Sequence, residues 1–139
     1  MNIIFLTLER SYWRQKFKDE VHFVPTEISS NHADRQFLQR VLELVHLEMS
    51  DQTFGVDELA RQMAMSRTQL NRKLRDLLDQ STNKFIQSCR LQKAVELLKV
   101  SGHNISDIAH STGFSSDAYF VKCFKDHFGT SPGKYFTKP

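Results

Sequence analysis

The stretch GFSSDAYFVKCFKDHFG, residues 113–129, decides the fold. Two glycines bracket it, and Tyr119, Phe120, Phe124 and Phe128 recur between them at helical spacing. That spacing predicts an amphipathic helix with the aromatics as its core face. Gly113 then marks the turn that enters the helix, and Gly129 the stop that ends it. Asp117, Ala118, Val121 and Lys122 remain to face outward.

Working outward, the same pattern occurs earlier in the chain. Val56, Leu59 and Ala60 match Ile105, Ile108 and Ala109 at an offset of 49 residues, and Ala64-Met65-Ser66 matches Gly113-Phe114-Ser115. Beyond that turn the offset becomes 50, pairing Leu70, Arg72, Leu74 and Leu78 with Phe120, Lys122, Phe124 and Phe128. Ser81, Lys84 and Phe85 pair with Ser131, Lys134 and Tyr135. The second copy therefore carries one extra residue, assigned to Asp117 at the start of its second helix. Each copy reads as helix, tight turn, helix. Ala60 and Ala109 fall where the paired helices cross closely. Ser66 and Gln69 form a capping box, S-x-x-Q.

Between the copies, TNKFIQSCRLQKAVELLKVSG reads as one long helix over residues 82–101, ended by Gly102. Ahead of them, FLQRVLELVHLEM places Phe37, Leu38, Val41, Leu42, Leu44, Val45 and Met49 on one apolar face. Asp34 is expected to cap that helix, which should end near Ser50–Asp51. Residues 1–33 read as a connector and dimerisation segment, residues 34–139 as the domain, with units at 56–80 and 105–129. The expected fold is all-α: two helix-turn-helix subdomains joined by a linking helix, about seven helices in all.

Bulk properties agree. The chain has 139 residues, 40% of them hydrophobic, enough for one ordinary domain. A net charge of +3 permits nucleic-acid binding without requiring it. The excess is local, with +3 over residues 81–104 and +2 over 130–139, against −2 over 31–55. No apolar run reaches the ~18 residues of a membrane span. Two cysteines, Cys89 and Cys123, lie on apolar faces and suggest a reducing compartment. Cys123 and His127 stand four apart, but no second pair at ligand spacing accompanies them, so no metal is expected. No phosphate loop, nucleophile elbow or paired-acid constellation is present, so no enzyme and no cofactor is expected. The expected location is the cytoplasm.

These residues carry a resemblance. DIAHSTGFSSDAYFVKCFKDHFGTSPGKYF, with its GFSxxxYFxxxFKxxFGxSPxxY pattern, resembles the second half of the C-terminal DNA-binding domain of AraC-type transcription regulators. LARQMAMSRTQLNRKLRDLLDQSTNKFIQSCRLQKAVELL resembles the first half, so the likeness covers about residues 34–137. Residues 8–33 resemble the connector that precedes such a domain in hybrid two-component regulators.

The resemblance implies double-stranded DNA as partner and transcription regulation, favouring activation, with RNA polymerase as a further partner and a homodimer in the full-length protein. In the first unit the positions off the leucine face are Arg67, Thr68, Asn71, Arg72 and Arg75. The family's base-reading positions fall on Thr68, Asn71 and Arg72. Arg72 suits guanine and Asn71 adenine, or Arg72 contacts only phosphate. In the second unit Asp117 could accept from a cytosine amino group, although capping its helix is favoured. Ala118 and Val121 could touch thymine methyls, and Lys122 guanine or phosphate. Phosphate contacts are expected from Arg75 and from two equivalent helix starts: Ser81, Thr82 and Lys84, then Ser131 and Lys134. Ordinary capping by the two serines remains open beside that role. The alternative is a protein-interaction module with incidental DNA contact. If a chain starting near Asp34 kept its DNA affinity and oligomeric state, residues 1–33 would be only a tether.

Overall fold

The computed structural model describes residues 31–100 and 104–137. Within them lie seven helices and no strand: α1 (His32–Glu48), α2 (Val56–Gln62), α3 (Arg67–Leu78), α4 (Thr82–Leu98), α5 (Ile105–Ser111), α6 (Asp117–Phe128) and α7 (Pro132–Thr137). The expected all-α double helix-turn-helix is what the chain adopts. The proposed connector lies almost wholly outside the described residues, as does Gly102.

Several boundaries move, each for a local reason. The cap of α1 is Asn31, not Asp34. The Asn31 side chain accepts the Asp34 N–H, and Asp34 sits in the first turn, where its charge favours the helix dipole. His32 and Ala33 therefore belong to a helix, not to a connector. That helix stops at Glu48, two residues before the expected end. The linking helix α4 closes at Leu98, three residues before the expected end. Its 17 residues make it about 25 Å long.

Two cores form, one under each unit. The first gathers Leu38, Val41 and Val45 of α1, Leu59 of α2, Leu70, Leu74 and Leu78 of α3, and Phe85, Ile86 and Cys89 of α4. The second gathers Leu91, Ala94 and Val95 of α4 with Ile108, Phe114, Phe120, Cys123 and Phe124. Phe120 meets Phe114 and Phe124 edge-on, at centroid distances of 5.1 and 5.8 Å. Such edge-to-face pairs add about 0.5–1.5 kcal/mol beyond burial. Ala60 and Ala109 are buried, as a close helix crossing requires. Tyr119 departs from its sequence reading. It is 40% exposed and lies off the core face, touching Phe114 only at 6.0 Å.

The two units repeat even at strained backbone positions. Each turn between paired helices contains a residue with positive φ, Ala64 at 55° and Gly113 at 89°. Each second helix ends on another, Asp79 at 58° and Gly129 at 81°. The first unit thus holds side chains where the left-handed region favours glycine. Ala64→Gly should stabilise the protein by about 0.5–1 kcal/mol, read as a higher urea midpoint at unchanged m-value. Gly113→Ala should do the reverse and more strongly, because its Cβ would lie 2.1 Å from the Met49 carbonyl oxygen. An unchanged midpoint for either variant would contradict this account.

Candidate nucleic-acid interface

The second helix of each unit is aimed by its cap. In α3 the Gln69 N–H donates to Ser66 Oγ at 3.0 Å, and the Ser66 N–H donates to Gln69 Oε1 at 2.9 Å. The expected capping box is present. In α6 the Tyr119 N–H donates to Ser116 Oγ at 3.1 Å. Tyr119 stands where Gln69 stands in α3, so no reciprocal bond forms. Ser116 is therefore the partner of Ser66, and Ser115 is the inserted residue. This corrects two readings: Asp117 is neither the extra residue nor the cap. It occupies the first helical position, equivalent to Arg67.

With that register fixed, the two outward faces can be compared. Leu70, Leu74, Leu77 and Leu78 point α3 into its core, and Phe120, Cys123 and Phe124 do so for α6. Exposed on α3 are Arg67, Thr68, Gln69, Arg72, Arg75 and Asp76. Exposed on α6, each 50 residues later, are Asp117, Ala118, Tyr119, Lys122, Lys125 and Asp126. Lys125 was missed by sequence reasoning. Carrying the 50-residue offset one turn past Arg72 to Arg75 would have found it.

Two expected base readers are only half-exposed. Asn71 is half-buried, and its Oδ1 accepts the Thr82 N–H at 3.0 Å. Its side chain ties the recognition helix to the start of α4. Val121, its counterpart, is packed against the second core. The same helical position is half-buried in both units, bonded to the start of α4 in the first and packed on the core in the second.

One expected phosphate ligand is likewise displaced. The Thr82 side chain is only 1% exposed and its hydroxyl has no hydrogen-bond partner, so it offers nothing to a ligand at the surface. Pro132, its counterpart, is buried too and has no N–H. Ser81 and Ser131 each accept the N–H three residues on, from Lys84 and Lys134. Capping is thus the serines' observed role. Lys84 and Lys134 themselves are exposed.

Between α3, α4 and α6 runs a cleft of about 670 Å³. Arg75, Lys84 and Lys122 line it together with Asp79 and Asp126. A smaller hollow of about 310 Å³ lies where the starts of α3 and α4 meet, lined by Arg67, Thr68, Asn71 and Asn83. Two helix N-termini side by side give that hollow a positive potential. Arg67 Nε pairs with Asp57 at 3.1 Å, with both side chains largely in solvent. Such a pair is weak and easily exchanged for another anion.

Two helix-turn-helix units, each with an exposed second helix beside a shared cleft, are the arrangement of a double helix-turn-helix domain. The model of a family described as a helix-turn-helix domain matches residues 59–138. The chain belongs to the AraC-type helix-turn-helix family. AraC-type domains bind DNA and regulate transcription, and they are not enzymes. A transcriptional regulator with an AraC-type DNA-binding domain from Chromobacterium violaceum superposes with TM-score 0.67 at 26% identity, covering 75% of this chain and 92% of that one. The DNA-binding domain of the global transcriptional factor AdpA, in complex with a target DNA, superposes with TM-score 0.65 at 26% identity, covering 70% and 87%. Histidine kinase P4 of Formosa agariphila is 34% identical over 122 residues, which are 88% of this chain and 9% of that protein. The chain spans less than half the length of the curated relatives it matches.

The remaining chemistry fits a binding domain. Burial pushes the Cys89 thiol up to about 12 and also raises Cys123, so both are core residues and poor nucleophiles. Among the described residues no group of His, Cys, Asp and Glu could hold a metal, and no helix is long and apolar enough to cross a membrane.

The positions of Asn71 and Thr82 have measurable consequences. Asn71→Ala should cost about 1 kcal/mol of stability and weaken DNA binding to the same degree on every sequence. A loss of preference at one base pair would instead make Asn71 a base reader. Thr82→Val should leave affinity unchanged and stability equal or higher, since it removes an unsatisfied buried hydroxyl.

Proposed function

We propose that α3 and α6 enter successive major grooves on one face of a DNA duplex, the first unit supplying most of the sequence discrimination. In this reading Arg67, Thr68 and Arg72 read base edges from α3, with Arg72 bidentate on a guanine. Asp117, Ala118 and Lys122 do so from α6, with fewer polar contacts available. Arg75, Lys84, Lys125 and Lys134 bind phosphate, helped by the Asn83 N–H at the start of α4. The observation that carries this is the pair of exposed rows, residue for residue 50 apart, beside one cleft where Arg75, Lys84 and Lys122 meet. The first row bears three arginines and one aspartate, the second two aspartates and two lysines.

A random-sequence DNA selection with this chain supplies the site on which the residues are tested. Arg72→Ala should then cost about 1–3 kcal/mol and relax one base position, while Lys84→Ala should reduce the slope of log K against log salt by about 0.9. Uniform weakening across sequences would move Arg72 to the phosphate set. An unchanged salt slope would remove Lys84 from the interface.

We further read the chain as the cytoplasmic output domain of a larger two-component regulator, with residues 1–30 as its connector. The alignment with a small part of a much longer protein named a histidine kinase supports this. Regulation is taken to be activation through RNA polymerase, by a homodimer formed outside the helices described above. In a reporter assay, the selected site placed upstream of a promoter should raise transcription in the presence of the full-length regulator. Repression would reverse that assignment.

A further inference from the structure

Arg90 stands where the two cores meet. On α4, Cys89 belongs to the first core and Leu91 to the second. The Arg90 side chain leaves the helix between them and is taken up by three backbone carbonyls. Its Nε donates to Met49 O at 2.9 Å, and one terminal nitrogen donates to Asp51 O at 3.1 Å and to Phe54 O at 2.9 Å.

Those carbonyls belong to the loop between α1 and α2, which the first core holds firmly. Met49 and Phe54 are buried in that core. Asp51 Oδ1 accepts from both the backbone N–H and the hydroxyl of Thr53, at 2.8 and 2.7 Å. The guanidinium is thus seated on a stiff part of the first unit.

The second unit rests on the same spot. A Cβ built on Gly113 would lie 2.1 Å from Met49 O and 2.8 Å from Arg90 Nε. The backbone of the second turn therefore abuts both the guanidinium and the first carbonyl it binds. The equivalent position in the first unit, Ala64, carries a side chain. All the extensively packed helix pairs lie within one unit or involve α4. The Met49–Arg90–Gly113 junction is thus a direct contact between the two units.

We propose that Arg90 is a positioning residue that fixes the relative setting of the two recognition helices, and so the spacing of the two DNA subsites the protein accepts. It acts through the backbone of the first unit and the turn of the second, with its hydrogen bonds directed at protein and not at DNA. A rigid pair of readers binds a correctly spaced site with high effective concentration and a mis-spaced one poorly. A loosened pair loses that contrast. Lysine keeps the charge but lacks the planar fork that reaches three carbonyls at once. The proposal rests on the DNA-binding reading above, and its test has one arm that does not.

The DNA arm uses the selected site, the same site with one base pair inserted between its halves, and the isolated first-unit half. Wild type should bind the native spacing about tenfold more tightly than the altered one. In Arg90→Lys and Arg90→Gln that ratio should fall to about twofold, with half-site affinity changed by less than about twofold. The second arm measures the distance distribution between spin labels at exposed Gln36 and His110, without DNA. It should be narrow in wild type and broader in both variants. An unchanged spacing ratio or an unchanged distribution overturns the proposal. So does an equal loss on the half-site, or failure of both variants to fold, either of which makes Arg90 a residue of core stability alone. If wild type shows no sequence preference at all, the DNA-binding reading fails, and the distance arm still judges Arg90.

Discussion

The linking helix is a working part of two cores at once, and the rest of the molecule depends on that sharing. Phe85, Ile86 and Cys89 complete the first core, and Leu91, Ala94 and Val95 complete the second. A seven-residue helix such as α2 or α5 cannot hold itself together in water. Each is held because its apolar stripe, with a buried alanine, is pressed between two neighbours: α2 between α1 and α3, and α5 between α4 and α6. Neither unit closes its core without the linking helix, so the two are obliged to sit at opposite ends of one rigid rod.

From that constraint the binding surface follows. Once the leucines of α3 and the phenylalanines of α6 are committed inward, one face of each helix is left for solvent. The side rows are used to dock each recognition helix, through Asn71 onto the Thr82 N–H and through Val121 onto the second core. Tyr119 adds a further tie, since the Gln87 amide donates to its hydroxyl across the cleft. The result is a pair of helices whose exposed rows are set by packing and whose chemistry can vary freely. One row became arginine-rich, and the other stayed nearly neutral.

The weak basicity of α6 follows from this division of labour. A helix needs no large positive charge of its own if its neighbours hold the backbone of the nucleic acid. Arg75, Lys84 and Lys122, from three different helices, line the cleft beside Asp79 and Asp126. The starts of α3 and α4 add the partial charge of their unsatisfied N–H groups to the smaller hollow. Lys125 extends the second row on the far side, at the position that Arg75 holds in the first.

By itself the sequence determined the helical class, the repeat, the linking helix, the Ser66–Gln69 capping box and most of the buried face. Each of these depends on local spacing: apolar residues three and four apart, and polar side chains that bond a backbone group within one turn. It also marked the recognition helices, because an outward row is what remains when the inward row is known. Only the tertiary structure decided which residues of that row are free. Asn71 and Thr82 look solvent-facing by periodicity, yet each contacts a separate helix whose approach no local pattern encodes. The inserted residue could be assigned to Ser115 only once the Ser116 cap was seen to align with Ser66. Arg90 looks like one more cation on a basic helix. Its three acceptors lie 36 to 41 residues away in the chain, and folding alone brings them within reach of one guanidinium.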